Sequence, residues 1–255
     1  MKQMGFYISS LSRAPCTKTQ VRHYQVAPSY NYKWTDIHYE ASRGNVEKLR
    51  LLLTTSGYSS LDTYFKYCWS NCVLDKELVD RKDYYGKTPL YWAAYKGQRV
   101  SMELLLQHGA NVNSCCKHGG TPLHAAIGLF PECALLLIQH GADVNLQDNW
   151  GVTPMYLAAC SGQMECIRLL VQAGAEITYK NKKTGLPPKR LASQVAFIAW
   201  IESFSHQPRS LKHLSRLKIR STLGPQRLRT IRTFNLPQSL KCYLMFEDLV
   251  LQEGL

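Results

Sequence analysis

The first 35 residues contain no aspartate or glutamate, while five lysines and arginines lie among them. That composition is shared with organellar presequences, but Pro15, Pro28 and the scattered Tyr24, Tyr30 and Tyr32 interrupt any sustained amphipathic helix. A basic, flexible N-terminal arm over 1–35 is the expectation. Nowhere does the chain carry 18 consecutive apolar residues, so a spanning helix is not expected and no membrane partner is assigned. None of the nine cysteines forms a C-x-x-C pair, and Cys68 with Cys72 lacks a second ligand pair at zinc-site distance. Their odd number and scatter suit reduced intracellular thiols, so no metal site is expected. No Ser-His-Asp set, phosphate-cradling glycine loop or carboxylate pair stands out. The chain is therefore expected to be no catalyst and to hold no cofactor.

Basic charge is plentiful but unevenly placed. The 255 residues carry a formal charge of +13. Residues 36–179, however, balance 12 lysines and arginines against 14 acids, while residues 180–232 hold 13 basic residues and one acid. A surface that follows phosphates should be basic along the body that forms it. Nucleic acid is therefore not expected as a partner.

What the sequence does have is a frame that returns. Gly86-Lys87-Thr88-Pro89-Leu90 recurs as Gly120-Thr121-Pro122-Leu123-His124 and as Gly151-Val152-Thr153-Pro154-Met155, at spacings of 33 and 32 residues. A second landmark keeps step, in Gly109-Ala110-Asn111-Val112-Asn113, Gly141-Ala142-Asp143-Val144-Asn145 and Gly174-Ala175-Glu176-Ile177. Threonine before proline caps a helix whose first position tolerates the missing N–H. The alanine pairs Ala93-Ala94, Ala125-Ala126 and Ala158-Ala159 allow close helix approach. Apolar runs such as Met102, Leu104, Leu105 and Leu106 then form a second helix, ended by Gly109 or Gly174 in a left-handed cap. A period near 33 with this T-P-L-H-x-A signature resembles the ankyrin repeat, which implies an all-α solenoid of stacked helix pairs.

Residues 36–53 fit an earlier unit, with Asp36 to Glu47 in the first helix and Leu49, Leu51, Leu52 and Leu53 in the second. From Ala41 to Ala94 is 53 residues, so about 20 are inserted near 54–75 relative to the repeat period. The insert carries Tyr58, Tyr64, Phe65, Tyr67 and Trp69, too aromatic for a plain linker, and is read as a flap packed on its own domain. Thr184-Gly185-Leu186-Pro187-Pro188 begins one closing unit. The array is expected to span 36–204 in about five units.

The tail changes character. Leu211, Ser215 and Ile219 are four residues apart, with Leu214 beside them, so they share one side of a helix. Lys212, Arg216 and Lys218 fill the remainder and are read, with Arg209 and Arg220, as a solvated basic face. After Gly224-Pro225 comes a shorter stretch with Leu228 and Ile231, then Asn235-Leu236-Pro237 and a helix with Leu240, Tyr243 and Leu244. About 40 residues in three helices cannot bury a secure core alone. Such a unit is expected to need a partner and to be poorly ordered without one.

This segment, 208–250, resembles the SOCS box, and its place behind ankyrin repeats makes the chain similar to the ankyrin repeat and SOCS box family. The BC-box positions of that family fall on Ser210, Leu211, Ser215 and Ile219, with Ser215 standing where cysteine is usual. The Leu-Pro-x-Pro cullin box is matched by Leu236-Pro237-Gln238, with Ser239 in place of the second proline. The resemblance implies a substrate-receptor adaptor of a ubiquitin ligase. Leu211, Leu214, Ser215 and Ile219 would bind Elongin C of the Elongin B/C pair. Leu236 and Pro237 would lie beside cullin-5, whose RING protein brings the charged enzyme. The alternative is an ankyrin scaffold with no ligase role; it turns on whether Leu211 and Ser215 face a partner or pack on the array.

The repeats would hold an unidentified protein target. Hairpin tips and inner helices make Tyr84, Tyr85, Tyr95, His118 and Trp150 the candidate contacts, with Tyr91, Trp92 and Tyr156 beside them, because aromatic residues concentrate binding energy. Leu137 lies eight residues before Asn145, with Asp143 and Val144 between, which resembles an asparaginyl-hydroxylation pattern; the simpler role for Asn145 is a hairpin hydrogen bond. A cytoplasmic location, with a nuclear one also compatible, follows from the implied role.

Overall fold

The computed structural model describes residues 35–54, 76–178, 180–187, 198–200, 203 and 210–248. Among these there are helices and turns and no β-strand. The N-terminal arm up to residue 34, the insert at 55–75 with its aromatic residues, and most of the closing unit lie outside them. Thr35, placed in the arm by the sequence, instead caps the first helix.

Among the described residues four helix pairs form the array. They are α1 (Asp36–Arg43) with α2 (Val46–Thr54), and, after the single turn α3 (Lys76–Val79), α4 (Pro89–Lys96) with α5 (Arg99–Gln107). Next come α6 (Pro122–Ala126) with α7 (Pro131–Gln139), and α8 (Pro154–Ser161) with α9 (Met164–Gln172). The capping chemistry explains where the inner helices begin. The Thr88 and Thr153 hydroxyls accept from the backbone N–H of Tyr91 and Tyr156, both at 3.2 Å. Each first helical position is a proline, which has no N–H to leave unsatisfied.

Helices then stack like on like. α1 packs on α4, α4 on α6 and α6 on α8; α2, α5, α7 and α9 form the outer row. The first pair therefore lies directly against the second although residues 55–88 intervene in sequence. Leu49, Leu90, Leu105, Leu123, Leu137, Met155 and Ile167 are fully buried between the pairs. Ala93, Ala94, Ala126, Ala158 and Ala159 are equally inaccessible, the close approach that their lack of bulk permits.

Between pairs, the hairpins are laced by side chains at a fixed place in the repeat. Asp80 accepts from the N–H of Asn111 at 2.7 Å, Asn113 from Asp143 at 2.9 Å, and Asn145 from Glu176 at 2.9 Å. Two histidines add a second lacing. His124 Nδ1 accepts from Thr121, whose hydroxyl is 2.8 Å away, and His124 Nε2 donates to the carbonyl of Val152 in the next unit, 3.2 Å away. His38 repeats the arrangement, its Nε2 donating to the carbonyls of Arg81 at 2.9 Å and Lys87 at 3.1 Å. A carbonyl can only accept, and the Thr35 and Thr121 backbone N–H groups donate to Nδ1, so both rings are neutral with the proton on Nε2.

Burial therefore holds both histidines below their ordinary pKa, although Asp83 near His38 and the Val152 carbonyl and Asp148 near His124 pull the other way. The unfolded chain binds protons more readily than the folded one. Their contribution to stability is thus complete above about pH 6.5 and is lost as pH falls, by at most about 1.4 kcal/mol per pH unit for each ring. Urea midpoints at neutral and mildly acidic pH should show this loss. A His38→Gln, His124→Gln chain should show a smaller drop; an equal drop would place the acid sensitivity elsewhere.

Candidate interaction surfaces

After the array, α10 (Leu211–Arg229) begins at Ser210, whose hydroxyl accepts from the His213 N–H at 3.2 Å. The Ser-Leu start of the tail is thus a helix cap followed by the first helical residue. The helix breaks at Gly224, where φ is 68° and ψ 171°, and Pro225 starts its second segment. A short 3-10 turn (Ile231–Thr233) and α11 (Gln238–Leu244) complete the unit. Leu228, Ile231, Leu244 and Met245 form a small core of its own, with Leu223, Leu236 and Tyr243 against it.

That core is not the whole anchorage, because one face of the tail docks on the array. Phe246, only 1% exposed, joins the core of the repeats, and Leu217 packs against the same cluster. The docking lies over the hairpins that follow α7 and α9. A Cβ at Gly141 would stand 2.8 Å from the Pro225 backbone, and one at Gly174 2.8 Å from Leu217. Both glycines have positive φ, so the residue that ends an outer helix also admits the tail.

Arg220 fastens the junction. Its guanidinium donates to the Leu244 carbonyl within the tail and to the Ile138 carbonyl at the end of α7, with the Gln139 carbonyl at 3.4 Å. It lies 4.5 Å from the centre of the Phe246 ring, and Arg216 lies 4.7 Å from the same ring. Arg216 also pairs with Asp248 and stands 3.7 Å over the Tyr243 ring. Burial, and then the neighbouring Arg216 charge, push the Arg220 pKa down to about 10, which still leaves it cationic at neutral pH. The expectation of a solvated basic face is corrected here. Arg216 and Arg220 are buried, and of that set only Lys212 and Lys218 are exposed; Arg209 lies outside the described residues.

The opposite face of α10 is open. Leu211 is 84% exposed, Leu214 46% and Ile219 41%, and Ser215 is exposed between them. The helix brings together the four residues that spacing put on one side, and none of them packs on the array. Ser215 donates its hydroxyl back to the carbonyls of Leu211 and Lys212, at 2.8 and 2.9 Å. With its polarity satisfied in this way, serine can occupy an apolar surface in place of the usual cysteine at little cost.

The second tail element divides differently. Leu236 is half-buried in the tail's own core, whereas Pro237 is exposed as the cap of α11, with Gln238 and Ser239 exposed after it. The sequence paired Leu236 and Pro237 as one contact; the structure leaves Pro237 on the surface and gives Leu236 a packing role.

Along the array, Tyr84, Tyr85 and Trp150 are about half exposed and His118 is exposed, all at hairpin tips. His118 stacks on Trp150 at 5.1 Å between ring centres, across two repeats, and Tyr84 meets Tyr85 edge-on at 5.2 Å. Tyr95 stands apart, half-buried on α4 with its ring 5.9 Å from Trp92. Trp92 donates its indole N–H to Asp83 at 2.9 Å and is half-buried, so it helps hold its hairpin. Sequence reasoning missed Lys117, whose ammonium lies 4.2 Å over the Tyr84 ring of the preceding unit. Nothing in the repeat signature marks a lysine at that place, and only stacking brings the two together. Asn145 is exposed and laced to Glu176, the same structural duty as Asn113.

Among the described residues no group of His, Cys, Asp or Glu could hold a metal ion, and no helix is long and apolar enough to cross a membrane. Buried Cys133 and Cys166 have their thiols pushed up to about 11 and about 12, chiefly by burial, so neither is a reactive thiolate at neutral pH.

The molecule is a stacked helical array with an exposed hairpin ridge, ending in a docked helical unit with an open apolar face. Its residues 13–148 and 102–181 match the family described as Ankyrin repeats (3 copies), and residues 207–245 match the SOCS box. The chain belongs to the ankyrin repeat and SOCS box family. It is 34% identical over 161 residues to "Ankyrin repeat and SOCS box protein 5" of Oryctolagus cuniculus, covering 62% of this chain and 48% of that protein. "Ankyrin repeat and SOCS box protein 9" of Mus musculus is 32% identical over 158 residues, 62% of this chain and 54% of that protein. "Ankyrin repeat and SOCS box protein 11" of Danio rerio is 34% identical over 159 residues, 62% of this chain and 53% of that protein. The chain thus spans about half the length of the curated relatives it matches.

The junction can be tested without any partner. Phe246→Ala should cost about 3–5 kcal/mol, the usual loss for emptying a buried phenylalanine site. Hydrogen exchange should show the protection of α10 and α11 falling before that of α4 to α7. A uniform loss over both regions would mean that tail and array unfold as one unit.

Proposed function

We propose that this protein is a non-catalytic substrate receptor of an Elongin B/C–cullin ubiquitin ligase, with cullin-5 as the scaffold, working in the cytoplasm with access to the nucleus. The observation that carries the reading is the unpartnered face of Leu211, Leu214 and Ile219 on a helix whose other face is already committed to the array. An 84% exposed leucine at the first turn of a capped helix suits insertion into a pocket of a partner such as Elongin C. Pro237 with Gln238 and Ser239 would then face the cullin.

In this role the chain performs no bond-making step. The hairpin ridge holds a target and the tail holds the ligase. Tethering raises the effective concentration of target lysines near the ubiquitin thioester. The Arg220 junction supports the geometry of this arrangement, since a target held on a floating array would sample many unproductive positions.

Co-expression with Elongin B/C followed by size exclusion tests the reading directly. The wild-type chain should form a stable complex, and Leu211→Asp should lose it while keeping its own thermal melt, because so exposed a side chain contributes little to folding. A well-folded wild-type chain that forms no complex would overturn the proposal in favour of a repeat scaffold.

A further inference from the structure

The hairpin tips carry a chemistry that the near-neutral repeat body conceals. Over residues 81–86, 115–119, 147–151 and 180–186 stand six basic side chains, Arg81, Lys82, Lys117, Lys180, Lys182 and Lys183, and all are exposed. The same tips hold two carboxylates, and both are turned inward to hold their turns. Asp83 accepts from the N–H groups of Tyr85 and Lys87 and from the Trp92 indole; Asp148 accepts from the N–H groups of Trp150 and Val152. The ridge therefore presents cations outward while its anions are occupied by hydrogen bonds.

The cations are also placed beside apolar surface and held in register. Neighbouring tips are joined by the Lys117 N–H to the Tyr85 carbonyl and the Asn149 N–H to the His118 carbonyl, both 2.9 Å, and by the Lys182 N–H to the Gly151 carbonyl at 3.0 Å. Lys117 lies over Tyr84, and His118 stacks on Trp150. Two of the ammonium groups rest on weak neutral acceptors, Lys82 on the Cys115 carbonyl at 3.1 Å and Lys183 on the Asn149 carbonyl, whereas Lys182 is already paired with the Glu176 carboxylate. An ionised carboxylate would be a stronger partner than either carbonyl.

We infer that this ridge takes an acidic, extended peptide segment of the target, its carboxylates meeting the tip lysines and an apolar side chain lying on the Tyr84 or Trp150 ring. The inference rests on the receptor reading above for the word target; the ridge chemistry stands by itself. A peptide is favoured over nucleic acid because His118 already covers one face of Trp150 and Lys117 lies over Tyr84, so no pair of rings stands open for a base to slot between.

Fluorescence polarisation with the full chain distinguishes the cases. The probes are a labelled peptide rich in Glu and Asp with one tyrosine, a Lys-rich peptide of equal length, and a single-stranded oligonucleotide. The acidic peptide should bind saturably and weaken with added salt. Lys117→Glu with Lys183→Glu should weaken it about tenfold or more, and so should Trp150→Ala. Lys117→Ser, which disturbs the hairpin less, should give a smaller loss in the same direction. Leu211→Asp should leave it unchanged. Absence of saturable binding to folded wild type, equal binding by the charge-reversed chain, or tighter binding of the oligonucleotide through the same lysines would each overturn the inference. Loss of acidic-peptide binding with the Elongin B/C complex intact would overturn this inference alone. Peptide binding without that complex would leave the ridge standing and remove the ligase.

Discussion

No single unit of this chain can bury its own apolar face, and the whole structure follows from that constraint. A pair of short helices such as α4 and α5 exposes Leu90, Ala93, Leu105 and Leu106 until neighbouring pairs cover them. Stacking is then the way to make a core, and it makes one that grows along a line. The small tail obeys the same rule. With four buried side chains in its own cluster, it borrows the array by placing Phe246 and Leu217 against the repeat core. Among the described residues, the Leu211, Leu214 and Ile219 side of α10 and the hairpin ridge remain open.

Burying Arg220 beside Arg216 would be costly without compensation, since each guanidinium loses water and the two repel. The compensation is geometric. Arg220 bonds carbonyls on both sides of the junction, one of them at the C-terminal end of α7, where the helix dipole favours a cation. Phe246 offers its ring to both charges, and it does so with a left-handed φ of 56°, which is unfavourable for a residue with a side chain. Buried and hydrogen-bonded except at Arg216 Nε, this network fixes one orientation of tail on array more sharply than apolar packing alone would. Hydrophobic contact is tolerant of rotation, whereas a planar fork aimed at fixed carbonyls is not.

The two open surfaces are consequently held apart and in fixed relation. One belongs to hairpins laced by Asn113, Asn145, His38 and His124, the other to a helix whose back is bolted to α7. The same residues that make the scaffold rigid leave the exposed aromatic and cationic side chains free of a core duty. Asp83 and Asp148 show how closely the two tasks are divided, since the turn absorbs the acids and leaves the bases outward.

The repeating frame was legible because capping and close packing are local demands. Threonine before proline caps the starts of α4, α6 and α8, and glycine follows the outer helices where the backbone turns left-handed, so spacing alone exposed helix pairs and their order. The four-residue spacing of Leu211, Ser215 and Ile219 likewise determined that they share a helix face. Spacing could not decide which face of α10 meets water, because that helix carries leucines on both sides. Packing of Leu217, Arg216 and Arg220 against the array settled it. Nor could a local rule foresee that Lys117 rests on Tyr84, that His118 stacks on Trp150, or that two arginines lie buried around Phe246. Those contacts join residues about 30 positions or more apart in most cases, and only the stack, and the docking of the tail upon it, brings them within reach.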